Sequence, residues 1–176
     1  MSSIAFYGGS FNPPTKAHEA IIDHLLKQSL FSKVVVKPCG TRKDKPELHQ
    51  TQERRKERVL KQLQRPSSHY QLDLSAMDQA MIPTIREWEK LSHSNPDHEI
   101  VFVAGSDLFA LEQDGLCQIQ KWVEGQKLFN NASFYIYPRP VEGELTYPPN
   151  HILVHDFEPL HISSSEIRKR ESLTKD

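Results

Sequence analysis

Gly8-Gly9-Ser10-Phe11-Asn12-Pro13-Pro14-Thr15-Lys16-Ala17-His18 joins two stretches of different period. Before it, Ile4-Ala5-Phe6-Tyr7 is a short apolar run suited to a strand. After it, Ala17, Ile21 and Leu25, with Ile22 and Leu26 alongside, recur at helical spacing. A strand therefore turns into a helix across this segment. Gly8 and Gly9 are expected to give the turn conformations and close approaches that a side chain would block, and Pro13 or Pro14 to occupy the first helical turn, where no amide hydrogen is needed. Such a turn aims unpaired amides and the positive end of a helix dipole at one point, and an anion binds there. Thr15 and His18, three apart, are expected to share a face of the opening turn and reach that anion, His18 as an exposed helical residue.

The rest of the chain alternates between the same two patterns. Strands are expected at Lys33–Lys37, Tyr70–Leu74, Ile100–Val103, Ser133–Tyr137 and Ile152–Val154. Helices are expected near Gln52–Gln64, from Pro83 through Leu91, from the end of the Ile100 strand to about Leu128, and from Ser164 onward. The unbroken run Ile100-Val101-Phe102-Val103 suits a strand buried on both faces. The alternation predicts an α/β fold, a Rossmann-like, doubly wound parallel sheet with helices on both faces, over residues 1–176 as a single domain. Ligands of such sheets sit at the carboxyl ends of the strands. The segments at Gly8, Pro38, Gly105 and Arg139 each follow a strand, so they are expected to gather along one edge of the sheet.

Composition excludes several classes. A formal net charge of −1 over 176 residues lacks the basic excess of a nucleic-acid or membrane-surface binder. The segment Arg42 to Arg65 carries a local basic excess, nine Lys or Arg against four Asp or Glu. Cys39 and Cys117 match no disulfide framework or metal spacing, and no stretch approaches the roughly 18 apolar residues of a membrane span, so a reducing cytoplasm is expected. His151 and His155 flank a predicted strand, where a spacing of four does not converge on one metal ion.

The motif Gly8 to His18 is similar to the signature of the nicotinate and nicotinamide mononucleotide adenylyltransferases, within the nucleotidylyltransferase superfamily marked by (His or Thr)-x-Gly-His. A second superfamily signature, Ile-Ser-Ser-Thr-x-Ile-Arg, resembles Ile162-Ser163-Ser164-Ser165-Glu166-Ile167-Arg168. Between them, Gly105-Ser106-Asp107 resembles the family's strand-end Gly-x-Asp, Trp122 its later tryptophan, and Arg139-Pro140 its Arg-Pro strand exit. Ala17 replaces the usual glycine and Ser165 the usual threonine, and eight residues follow Arg168 where family members continue through a further helix.

The resemblance implies transfer of AMP from ATP to a pyridine mononucleotide, with Mg²⁺ bound through ATP phosphates and water and no dedicated metal cage. It assigns His18 and Arg168 to catalysis. ATP would be held by Gly8, Gly9, Ser10, Phe11, Thr15, His18, Gly105, Asp107, Ile162, Ser163, Ser164 and Arg168. The mononucleotide would meet Ser10, Phe11, Lys45, Thr84, Trp122 and Arg139. Plainer readings stand beside these. Thr15 is also a helix cap, Ser163 with Glu166 has the spacing of a capping box, and Trp122, like Trp88, suits core packing. Two other functions stay open: a pantetheine-phosphate adenylyltransferase, which usually has Asp where Asn12 stands, and a nucleotide-binding regulatory domain without turnover.

Overall fold

A computed structural model of the chain describes residues 2–40, 52–160, 162 and 164–173. Strands β1 (Ser2–Gly9), β2 (Phe31–Pro38), β3 (Tyr70–Leu72), β4 (His98–Gly105), β5 (Ser133–Tyr137) and β6 (His151–Leu153) form one six-stranded sheet in the order β3-β2-β1-β4-β5-β6. Every pairing is parallel. The sequence order reverses at β1, which lies between β2 and β4, so the crevice for a ligand opens beyond the end of β1.

Strand periodicity separates the buried apolar residues into two clusters. Ala5, Tyr7, Val101, Val103, Tyr135 and Tyr137 face Ile21, Ile22 and Leu25 of α1 (Lys16–Leu25) and Val59 and Leu63 of α2 (Gln52–Leu63). Ile4, Phe6, Ile100, Phe102, Phe134 and Ile136 face Ile85 of α3 (Thr84–Ser94) and Leu128 and Phe129 of α4 (Gly125–Asn131). Helices thus cover both faces, as the alternation predicts. A fifth helix, α5 (Ser164–Leu173), follows β6. Among the described residues no helix is long and apolar enough to cross a membrane.

Three expectations are corrected. Pro13 and Pro14 lie before the helix rather than in it, because Thr15 supplies the N-cap and α1 begins at Lys16. Gly8 and Gly9 end β1 with no left-handed backbone, and the positive φ of the turn, 42°, falls on Phe11. The continuous helix expected after β4 is instead a 3-10 turn at Ser106–Phe109, a loop, a second 3-10 turn at Ile119–Lys121, and only then α4. Left-handed residues Gly115 and Glu124 interrupt it, and tertiary bonds such as Leu111 N–H to Glu144 O replace the helical ladder.

Candidate active site

At the start of α1, Thr15 and His18 form a reciprocal cap. Thr15 Oγ1 accepts from the His18 amide at 3.4 Å, and His18 Nδ1 accepts from the Thr15 amide at 2.9 Å. Histidine takes the place that Glu or Gln holds in the usual capping box. An amide N–H only donates, so Nδ1 carries no proton and the neutral ring is protonated at Nε2. Burial, followed by the nearby Arg139 charge, lowers the His18 pKa to about 4. The ring also packs edge-on against Phe11, with centroids 5.0 Å apart. His18 is therefore half-buried rather than exposed, and it presents one fixed donor, Nε2–H, near Arg139.

The β1 exit is shaped by rings. A side chain at Gly9 would bring its Cβ within 3.3 Å of the Phe11 ring, and one at Gly8 within 3.1 Å of the Phe6 ring. Glycine here leaves room for Phe11, 2% exposed, to fold back over the strand end. Thr15 is as deeply buried, also at 2%, and its hydroxyl lies 2.9 Å from His18 Nδ1.

The exits of β4 and β5 are clasped together. The Ser106 hydroxyl accepts from the Arg139 amide at 2.9 Å and donates to the Arg139 carbonyl at 3.2 Å. Asp107 Oδ1 stands 3.7 Å from Arg139 Nε, and a Cβ at Gly105 would fall 2.3 Å from that oxygen, so a side chain there would push the Asp107 and Arg139 side chains aside. Beside this pair opens a cleft of about 370 Å³, lined by Ala17 and Ile21 of α1, Tyr137, Phe157, Leu160, Ile162 and Glu166, with Asp107 and Arg139 at its polar end. Burial raises the Tyr7 pKa, while Arg139 and Asp107 act on it in opposite directions, so strand β1 also feels this pair.

Helix α5 docks onto the loop after β1. Ser164 Oγ donates to Pro13 O at 2.8 Å, Arg168 Nη1 to Asn12 O at 2.5 Å, and Arg168 Nη2 to Ser165 Oγ at 2.9 Å. His18, Asp107, Arg139, Ile162, Ser164 and Arg168 are thus assembled around the ends of β1, β4 and β5. Thr84 opens α3, and Trp122 ends the second 3-10 turn, half-buried against the α3–α4 cluster, so both lie on the opposite face of the sheet from the α1-side cleft. Lys45 and Ser163 lie outside the described residues. Among the described residues no three His, Cys, Asp or Glu side chains group as metal ligands.

Two features escape a reading of residue pattern. Lys37, at the end of β2, is buried and donates to Glu87 of α3 at 2.6 Å, with Asp73 at 3.4 Å. Arg55 of α2 is buried too, and donates to Ser10 O at 2.9 Å and Cys39 O at 2.6 Å. Lys37 ends an apolar strand and Arg55 sits in a basic run, so only a three-dimensional count of partners distinguishes them.

Residues 6–170 match the model of the cytidylyltransferase-like family. The chain belongs to that family. Within it, the chain is similar to the nicotinate-nucleotide adenylyltransferase of Bacillus subtilis, 24% identical with 97% of this chain and 86% of the relative covered. It is 27% identical to a protein of Fusobacterium nucleatum named "probable nicotinate-nucleotide adenylyltransferase", with 95% and 86% covered. In three dimensions this cytidylyltransferase-like chain is similar to the nicotinic acid mononucleotide adenylyltransferase of Plasmodium falciparum complexed with NaAD. That match has a TM-score of 0.75 and 26% identity, and covers 99% of this chain and 90% of the other.

Proposed function

We propose that this chain, acting as one nucleotidylyltransferase domain, transfers AMP from ATP to nicotinate mononucleotide or its nicotinamide counterpart, giving the dinucleotide and pyrophosphate. The acceptor's 5′-phosphate oxygen forms a bond to the α-phosphorus of ATP in line with the bond to the β-phosphate oxygen. That bond breaks, and pyrophosphate leaves with its electron pair. The attacking oxygen is already ionised, so neither a protein nucleophile nor a general base is needed. Catalysis reduces to positioning and to stabilising charge on the transferring phosphoryl group.

His18 fits that task because its proton is held on Nε2 by a cap that uses up Nδ1. This is the observation that carries the reading. Arg168 and Arg139 supply fixed charge for the outer phosphates, and Arg168 is steadied by Asn12 O and Ser165. The apolar cleft suits the adenine, with Asp107 at its polar end accepting from ribose hydroxyls. Thr15 serves by orienting His18. Gly8, Gly9, Ser10 and Phe11 border both phosphates at the β1 exit, and Gly105 leaves the space that Asp107 and Arg139 occupy. Thr84 and Trp122, on the other face, are assigned to the pyridine ring, and Lys45 to the acceptor phosphate.

Arg139, Arg168 and neutral His18 suit phosphate oxygens better than a bare cation, so Mg²⁺ would enter bound to the nucleotide and would supply charge neutralisation there. The test is a panel of nicotinate mononucleotide, nicotinamide mononucleotide and phosphopantetheine, each with ATP and Mg²⁺. Pyrophosphate release with a pyridine mononucleotide is expected. Release with phosphopantetheine alone would replace the acceptor, and silence with all three would leave a binding domain.

A further inference from the structure

Only three charged side chains are buried among the described residues, Lys37, Arg55 and Glu87, and two of them pair with each other. Arg55, 6% exposed, meets no carboxylate among the described residues. Its partners are the carbonyls of Ser10 and Cys39, with Cys39 Sγ at 3.9 Å from Nη2. A guanidinium cannot shed its proton, and burying it without a counter-charge is unfavourable. Among the described residues no carboxylate balances its charge.

The position of Arg55 indicates which anion would. From α2 it spans two strand exits, Ser10 just past β1 and Cys39 just past β2, and these exits are already stitched by Cys39 N–H to Gly9 O at 2.8 Å. In a trans peptide the carbonyl and the amide hydrogen point in opposite directions. Holding Ser10 O toward Arg55 therefore turns the Phe11 N–H away from it. Phe11 has a φ of 42°, a left-handed conformation unfavourable for a bulky residue, so the peptide needs an external tie. Asp107, Arg139 and the apolar cleft lie on the β4–β5 side of β1, whereas Arg55 lies on the β2 side. With ATP read onto the β4–β5 side, the β2 side of β1 is left for the acceptor's phosphate.

On the reading of this chain as an adenylyltransferase, we propose that Arg55 is a positioning residue for the acceptor's phosphate. Its guanidinium holds the Ser10–Phe11 peptide with the amide facing the phosphomonoester, and the bound phosphate is its counter-ion. It acts through the loop, and the nucleoside part of the acceptor does not depend on it.

The experiment compares the parent protein with Arg55→Lys and Arg55→Gln. It measures melting temperature, the KM for ATP and for nicotinate mononucleotide, and calorimetric binding of the mononucleotide, its dephosphorylated nucleoside and inorganic phosphate. Both variants are expected to weaken mononucleotide and phosphate binding by about tenfold or more, since lysine lacks the fork that spans two carbonyls. Nucleoside binding should stay within about threefold, because the nucleoside presents no phosphate to the Arg55 charge, and the KM for ATP should rise less than that for the mononucleotide, because Asp107, Arg139 and Arg168 also hold ATP. Equal weakening for nucleotide and nucleoside would make Arg55 a purely structural residue and overturn the proposal. Unchanged binding in a folded variant overturns it, and so does failure of both variants to fold, which would place the requirement in the fold itself. Phosphate binding is read without turnover. A parent that binds phosphate through Arg55 but releases no pyrophosphate would therefore sink the adenylyltransferase reading alone.

Discussion

The two banks of the crevice are built differently. On the β2 bank the Lys37 and Glu87 side chains are each 9% exposed and meet at 2.6 Å, locking α3 to the sheet. On the β4–β5 bank the charges are open: Asp107 and Arg139 side chains are 43% and 38% exposed, and their nearest atoms stand 3.7 Å apart. A buried, well-bonded ion pair defines a shape before any ligand arrives, while an exposed, loose pair contributes little to the fold and is free to exchange its partner for a substrate group. One bank is a mould, and the other is completed by what binds to it. His18 stands at the seam, fixed by its cap with Nε2 left to donate.

The comparison is broken most severely at Lys37. Lys37→Met leaves two carboxylates without their cation and is expected to destabilise the protein by about 3–5 kcal/mol in a denaturant titration. If the bank is only a mould, the surviving folded enzyme should keep its ratio of KM values for the two substrates. A loss below about 1 kcal/mol would mean that the pair behaves as a surface contact.

The next effect is kinetic. His18→Ala should reduce kcat by roughly 10²–10³-fold through loss of one fixed donor to the transferring phosphoryl group. It should also cost about 1 kcal/mol of stability, because half of the reciprocal cap at Thr15 goes with it. Steady-state kinetics and a thermal melt on the same sample read both. Near-normal turnover in a folded variant would remove the imidazole from the chemistry.

On the open bank the expected pattern reverses. Asp107→Ala should change stability by less than about 1 kcal/mol, since it breaks only an exposed contact. It should raise the KM for ATP by about tenfold or more if its carboxylate accepts from ribose hydroxyls. A large stability loss with unchanged KM would show that this bank too is set in advance.

The smallest effect is a pH slope. The His18 pKa is lowered to about 4 by burial and Arg139, so the unfolded chain takes up a proton before the folded one does. Stability is then fully present above the unfolded imidazole value of about 6.5 and declines as pH falls toward the folded value. NMR of the His18 ring should show no titration between about pH 8 and pH 5.5, with its change centred near 4. In Lys37, burial opposes the charge, but the hydrogen bond and charge of Glu87, helped by Asp73, outweigh it and raise the pKa. That contribution is present below the ordinary lysine range and is lost as pH rises through the folded pKa. A slope in the acid limb that survives His18→Ala would assign it elsewhere.

Much of this was legible in the sequence because it rests on local pattern. Runs such as Ile4–Tyr7 and Ile100–Val103 are apolar at every position because helices cover both faces of the sheet, and that marks parallel strands regardless of partners. The turn at Gly8–His18 was legible as a strand-to-helix junction, since the requirement for a strand, a loop and a helix start in succession is written consecutively. The interior of 106–128 was not. Its shape depends on residues such as Glu144, and nothing in its own composition signals the left-handed Glu124. Nor does pattern reveal which cation in a basic stretch is buried. Arg55 differs from its neighbours Arg54 and Lys56 only in what lies above it, carbonyls supplied from 45 and 16 positions away.

The sheet order also has a consequence during synthesis. β1 is the first strand made, yet one of its two partners, β4, pairs Ser2 with His98. Until β4 leaves the ribosome, the nascent β1-α1-β2-α2-β3 portion has an unpaired edge along the apolar residues Ile4–Phe6. Non-local parallel pairing is slow to close, and an open apolar edge is a template for another chain. The strand that leads into the His18 loop is therefore the one most exposed to wrong partners while the chain grows. The newborn protein depends on translation reaching β4 before a neighbouring chain reaches β1.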